Sequence, residues 1–217
     1  MKVFVDCESS GLDPWRNDPI HMAFIVTDDK LNIKDKFSVT SKPNHDENLW
    51  SKRAEDIHGI SYRDAILYTN SASASDFIYE RISSHGKYNT FICHALPMGS
   101  LESCFDYKML FTWFWKNDKR ERFYEIFGPI ESTISKERKK TLELYGIESQ
   151  KLDAWSRKLG IELDHHNCES DVAACLDIYK YKKSFMEELR GKERIKKEEI
   201  QKEEIKKDDK KRGLEVV

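Results

Sequence analysis

The chain carries 37 Lys and Arg against 39 Asp and Glu over 217 residues, a net charge of −2. That balance argues against a protein that coats nucleic acid along its length, and no apolar run approaches the roughly 20 residues that span a bilayer. Hydrophobic residues make up 39% of the chain, low for a globular protein, but a highly charged C-terminal stretch accounts for much of the deficit. The expected organisation is one compact domain over residues 1–186 and a charged low-complexity tail over 187–217. Cys7, Cys93, Cys104, Cys168 and Cys175 contain no Cys-x-x-Cys pair and read as reduced thiols. A zinc site of Cys93, His94, Cys168 and His165 would fit no usual zinc spacing. With no N-terminal secretory pattern, a cytoplasmic protein without membrane association is expected.

Val3-Phe4-Val5, β-branched and aromatic, reads as a buried strand. Side chains alternate along a strand, so Asp6 and Glu8 project from one face. Two carboxylates that close repel each other, and both ionise at low cost only around a cation. Hard divalent ions suit such an oxygen cage; an edge strand with two solvated acids is the alternative reading of Asp-x-Glu alone. Gly11 and Pro14 then turn the chain away. Further strands are expected over Ile20 to Thr27 and Lys34 to Thr40, joined by a turn at Asp28-Asp29-Lys30. A short helical stretch near Leu49 to Ile57 follows, then a helix capped by Ser75-Asp76 and ending near Ser83. Thr90 to His94 reads as a buried strand, and helical patterns cover Phe105 to Trp115, Ile130 to Tyr145 and Leu152 to Leu159.

Glu169 to Lys183 reads as a helix with Val172, Cys175, Leu176 and Tyr179 on one face. Asp171 lies in its first turn and His166 in the loop before it, bringing a carboxylate and an imidazole to one helix start. The tail repeats a degenerate five-residue unit, Arg194-Ile195-Lys196-Lys197-Glu198 and its echoes. Isoleucines five apart step about 140° around a helix and share no face, so a coiled coil is not expected. Favourable pairs such as Glu193–Lys197 and Glu198–Lys202 each contribute a few tenths of a kcal/mol. The tail is expected to be a fraying, solvated helix, with a basic surface for nucleic acid or a partner as the alternative.

Four segments in order resemble the DnaQ-like (DEDDh) 3′–5′ exonucleases of the ribonuclease H-like superfamily. The first is Asp6-Cys7-Glu8-Ser9-Ser10-Gly11-Leu12-Asp13-Pro14, similar to the family's Asp-x-Glu-Thr-Thr-Gly-Leu-Asp-Pro. The second is Ile57-His58-Gly59-Ile60-Ser61, and the third is Lys151-Leu152-Asp153 with Leu159-Gly160-Ile161. The fourth is His166, four residues, then Asp171. The resemblance covers about Met1 to Lys183 and implies an α/β fold, a ribonuclease H-like mixed β-sheet flanked by helices, with a charged helical or disordered tail.

The same resemblance implies a metal-dependent 3′–5′ exonuclease that hydrolyses single-stranded DNA or RNA at 3′ ends and releases nucleoside 5′-monophosphates. It implies two Mg2+ or Mn2+ ions per active site, held by Asp6, Glu8, Asp171 and a fourth acid, with His166 as general base. An imidazole is the side chain suited to accept a proton near neutral pH. His165 is the nearest rival, and the four-residue gap to Asp171 selects His166. The second family motif is where this chain departs. His94-Ala95 ends the strand, but Gly99 stands where the family has Asp. Phe105-Asp106 resembles the displaced helix start, which makes Asp106 the fourth acid and Leu96 to Ser103 an inserted loop. Glu102 is the alternative, and loss of the acid a third.

Ser9, Ser10, Leu12 and His58 are, by resemblance, the residues against the terminal nucleotide, Leu12 as a wedge at the last base. Phe111, Trp113, Phe114 and Trp115 are aromatics available for base stacking, although their crowding means some must be core. The partners implied are 3′ ends, a polymerase or other nucleic-acid enzyme, and a second copy of the chain in a homodimer. A non-catalytic binding module of the same fold, or a phosphohydrolase of short oligonucleotides and nucleotides, are the competing readings.

Overall fold

A computed structural model describes residues 1–95, 100–164 and 166–214. Among them, five strands form one mixed sheet in the order β3-β2-β1-β4-β5. The strands are β1 (Lys2–Ser9), β2 (Pro19–Thr27), β3 (Ile33–Thr40), β4 (Asn89–Cys93) and β5 (Phe127–Ser132). β1 and β2 pair antiparallel, as do β2 and β3, whereas β4 and β5 run parallel to β1. The helices are α1 (Lys52–His58), α2 (Tyr62–Ala65), α3 (Ser71–Ser83), α4 (Phe105–Lys116), α5 (Arg120–Ile126), α6 (Arg138–Tyr145), α7 (Leu152–Leu159) and α8 (Cys168–Leu214).

The sheet is buried because its central strands are apolar on both faces. Val3 and Val5 of β1 join Phe24, Phe91, Ile78, Ile82, Trp113 and Phe114 in the main core. Phe4, Ile25 and Ile92, in register on the opposite face, are no more exposed. Each such side chain contributes ~1.5–3 kcal/mol on burial, so β1 is locked in place. Its alternation delivers Asp6 and Glu8 to the Phe4 face at the strand's C-terminal end. The pairing with β2 slips between Glu8 and Ser9, an irregularity that bends the strand and re-aims its last side chains.

Several expected elements are placed differently. The helix expected from Ser75-Asp76 begins four residues earlier: Asn70 is its cap, accepting from the Ala72 N–H at 3.0 Å, and Asp76 instead pairs with Lys119. The helix expected over Ile130 to Tyr145 is mostly not one. Phe127–Ser132 is the edge strand β5, and helix α6 covers only Arg138–Tyr145. Gly128-Pro129 reads as a turn in isolation, yet an edge strand tolerates a residue without an N–H. Helix α5 carried no sequence expectation; Phe123 and Ile126 anchor it in the core.

By its internal packing the chain has two units, Met1–Ile178 and Tyr179 onward. The second unit is helical to Leu214, with Lys192 paired to Glu188 at 2.6 Å and Arg194 to Glu198 at 3.7 Å. Among the described residues, no helix is long and apolar enough to cross a membrane.

Candidate active site

Four carboxylates converge at the end of β1. Asp6 and Glu8 come from the strand, Asp106 from the first turn of α4 and Asp171 from the first turn of α8. Burial is the leading influence on their proton affinity, and mutual charge adds to it at Asp6 and Glu8. Burial pushes the Asp6 carboxyl well up, and the charges of Asp106, Asp171 and Glu8 push it further. Burial, then Asp171 and Asp106, raise Glu8 to about 7. Asp106, only 6% exposed, is raised by burial to about 6. Glu102, the alternative fourth acid, is exposed on a 3-10 turn (Leu101–Ser103), where it lines a separate cavity with Tyr88 and Tyr107. Gly99 and His165 lie outside the described residues.

Two cysteines that the sequence presents only as reduced thiols touch this cluster. Cys7, facing opposite to its neighbours on β1, donates to Asp106 Oδ1 at 3.4 Å. The Cys168 thiol sits within reach of Asp6 and of the His21 carbonyl oxygen, 3.2 Å away. Ligand atoms of Asp6, Glu8 and Cys168 lie within 4.8 Å of one another. Burial pushes both thiols up, so both act as neutral donors to carboxylates. The missed signal was helical spacing: Cys168 precedes Asp171 by three residues and shares its face.

Beside Glu8 opens a cavity of about 270 Å³ lined by Glu8, Ser9, Leu12, Arg53, His58 and Phe105, among others. Leu12 is 78% exposed at its mouth. His58 sits at the last residue of α1, closed by Gly59 at φ 73°. The Ile60 N–H donates to His58 Nδ1 at 3.1 Å, so the proton is on Nε2, which donates to the Ser9 carbonyl oxygen at 3.2 Å. Burial holds the imidazole's pKa down. His166 is exposed in a left-handed conformation, φ 61°, close enough to influence His58 electrostatically. A non-glycine residue there is uncommon and carries backbone strain.

Residues 3–179 match the RNase_T exonuclease family. The chain belongs to that family. The fold of this exonuclease domain is shared with solved structures. Escherichia coli Exonuclease I in complex with a dT13 oligonucleotide superposes with a TM-score of 0.71 at 21% identity, covering 88% of this chain and 43% of that one. A moderately thermophilic Exonuclease I from Methylocaldum szegediense gives 0.65 at 25% identity, covering 81% and 38%. The zinc-bound form of an E. coli ExoI–ssDNA complex gives 0.65 at 21% identity, covering 82% and 39%. The chain therefore spans less than half the length of these relatives. No curated protein matches it in sequence.

In this exonuclease domain not every expected contact faces the cavity. Ser10 is fully buried, with its hydroxyl accepting from the Asp18 N–H at 2.9 Å and bonded to His45 Nε2 at 2.7 Å. It holds the loop from behind, whereas Ser9 and Leu12 line the cavity. Cys93 shares a hydrogen bond with Cys104, and Cys168 sits with Asp6, so these cysteines do not gather into the zinc set considered above. Of the four clustered aromatics, Trp113 and Phe114 are core, and Trp115 is 42% exposed. The family generally uses divalent metal ions. A partly buried group of carboxylates with raised proton affinity is a set of hard oxygen donors that suits such ions.

Proposed function

We propose that this domain is a 3′–5′ exonuclease that removes nucleoside 5′-monophosphates from single-stranded DNA or RNA ends. The observation that carries the reading is the convergence of Asp6, Glu8, Asp106 and Asp171, three of them with raised proton affinity. Such a cluster is costly for the fold unless cations neutralise it. Mg2+ or Mn2+ would be held by these four side chains, two ions to a site, and would supply charge relief on phosphoryl oxygens and a more acidic water.

The chain's own residues do the rest. The cavity beside Glu8 takes the terminal nucleoside, with Leu12 against the base and Ser9 and His58 at the sugar end. Ser10 contributes by fixing the Ser9–Leu12 backbone. His166 accepts a proton at an imidazole nitrogen from the attacking water. The water oxygen bonds to phosphorus, the P–O3′ bond breaks, and the 3′ oxygen of the shortened strand takes up a proton. Within this reading residues 1–186 are the catalytic domain, and residues 187–217 an appended charged tail.

The test is a 5′-labelled single-stranded DNA and its RNA counterpart, incubated with Mn2+ or Mg2+. A ladder shortening from the 3′ end, abolished by EDTA and by Asp171→Ala, is expected, and its relative rates give the sugar preference. Tight binding with intact substrate would overturn the reading in favour of a nucleic-acid-binding module. Cleavage of only the shortest oligonucleotides would replace it with a small-substrate phosphohydrolase.

A further inference from the structure

Outside the carboxylate cluster and its cavity, one surface combines exposed aromatic rings with a cation. Trp15 is 56% exposed, Trp115 42% and Tyr124 43%. Trp15 and Trp115 meet edge to face with ring centroids 5.4 Å apart. The Arg120 guanidinium lies over Trp115 at 4.7 Å and over Tyr124 at 5.6 Å. The three rings come from three segments, the loop after β1, the end of α4 and α5, yet they form one patch.

One loop carries residues of both the patch and the cavity. Leu12, which lines the cavity mouth, and Trp15 lie on the same short loop. That loop is held rigidly. The Asp13 N–H donates to Asn17 Oδ1 at 3.1 Å, and the Trp15 N–H to Asp13 Oδ1 at 3.0 Å. Asn17 Nδ2 donates to the Leu49 carbonyl oxygen at 2.8 Å. Lys116, next to Trp115 on α4, clamps the loop from the other side by donating to the carbonyl oxygens of Pro14 (3.1 Å) and Asn17 (2.8 Å). From Asp106 to Trp115 is nine residues along α4, about 14 Å at 1.5 Å per residue, a reach of a few nucleotides from the reacting end. A preordered surface loses little freedom when it binds, and an aromatic ring accepts any base on its face.

We propose that Trp15, Trp115 and Tyr124, with Arg120 facing the phosphates, form a stacking platform for the bases upstream of the 3′-terminal nucleotide. The proposal rests on the exonuclease reading of the neighbouring site. Single-stranded nucleic acid is the favoured occupant because the patch shares a loop with the terminal-nucleotide cavity and a helix with Asp106, and because it pairs rings with a guanidinium, the combination that binds bases and backbone together.

Equilibrium anisotropy of a labelled 12-nucleotide dT strand in EDTA tests binding apart from catalysis. Trp115→Leu and Trp15→Leu are each expected to weaken binding about tenfold, and Trp115→Phe, which restores a ring, to recover most of it. In Mn2+, kcat/KM on the 12-mer should fall by a similar factor, and much less on a dinucleotide too short to reach the platform. Unchanged 12-mer affinity in both leucine variants would overturn the proposal. So would an equal loss on the dinucleotide, or a change of oligomeric state with unchanged DNA affinity, which would make the patch a protein interface. If the wild type cleaves neither substrate, the exonuclease reading fails while the anisotropy result still decides the platform.

Discussion

At the scale of single residues, the site is defined by protons it would rather keep. Glu8 is raised to about 7 and Asp106 to about 6, against 4.5 and 3.8 for ordinary carboxylates. Between those limits the folded, metal-free protein holds protons that the unfolded chain has released. Stability from these groups is therefore present at low pH and lost as pH rises through about 6 to 7. Metal-free protein should melt at a lower temperature at pH 8 than at pH 5.5, and Mn2+ should raise the melting temperature more at pH 8. Asp35, held down to about 2 by its hydrogen bonds with Arg81, titrates below this window and does not mask the effect. Glu8→Gln should flatten the slope; a metal-free melting temperature that rises with pH would contradict the arrangement. Asp6 and Glu8 were legible as a pair from strand alternation and Asp171 from its helix start, both local rules; that these ends belong together was read from the family resemblance. The Cys7 thiol was not legible, because its role depends on the acid that α4 brings to it.

At the scale of elements, the join between the loop after β1 and helix α4 carries much of the geometry. Asp18 is 1% exposed, with Oδ1 2.5 Å from Lys116 Nζ and Oδ2 accepting from the Asn44 N–H at 2.7 Å. Removing one partner of a buried ion pair leaves a charge without compensation, at a cost of roughly 3–5 kcal/mol. Lys116→Ala should lower the denaturant midpoint accordingly, and Asp18→Asn in the same chain should recover part of the loss. A change below ~1 kcal/mol in urea titration would mean that water replaces the lysine there. Strands β1 to β4 were readable as short runs rich in apolar and β-branched residues, and helices α4 and α7 from the helical spacing of their apolar residues. Strand β5 was not: with Gly128 and Pro129 inside it, only its pairing with β4 makes it a strand. The start of α3 was misjudged for a similar reason. Asn70, Ser75 and Asp76 are all competent caps, and it is the ion pair of Asp76 with Lys119 that employs it elsewhere.

At the scale of the whole molecule, activity is expected to reside in residues 1–186. A chain ending at Met186 should retain cooperative unfolding and degrade single-stranded substrate within about twofold of full length, at low and moderate salt alike. A large loss confined to low salt would instead assign the tail's Lys and Arg to phosphate contacts, whose strength falls with ionic strength. By itself the sequence determined the alternation that puts Asp6 and Glu8 on one face, the helix start that carries Asp171, the family resemblance and the charged tail, because each depends on neighbours along the chain. The resemblance favoured Asp106 over Glu102 as the fourth acid, and only the tertiary structure shows Asp106 facing the other acids. Tertiary structure also decided that Ser10 turns inward, and that Trp15 meets Trp115. Those outcomes depend on contacts between segments up to a hundred residues apart, and no local periodicity encodes which side chains a folded sheet will bring together.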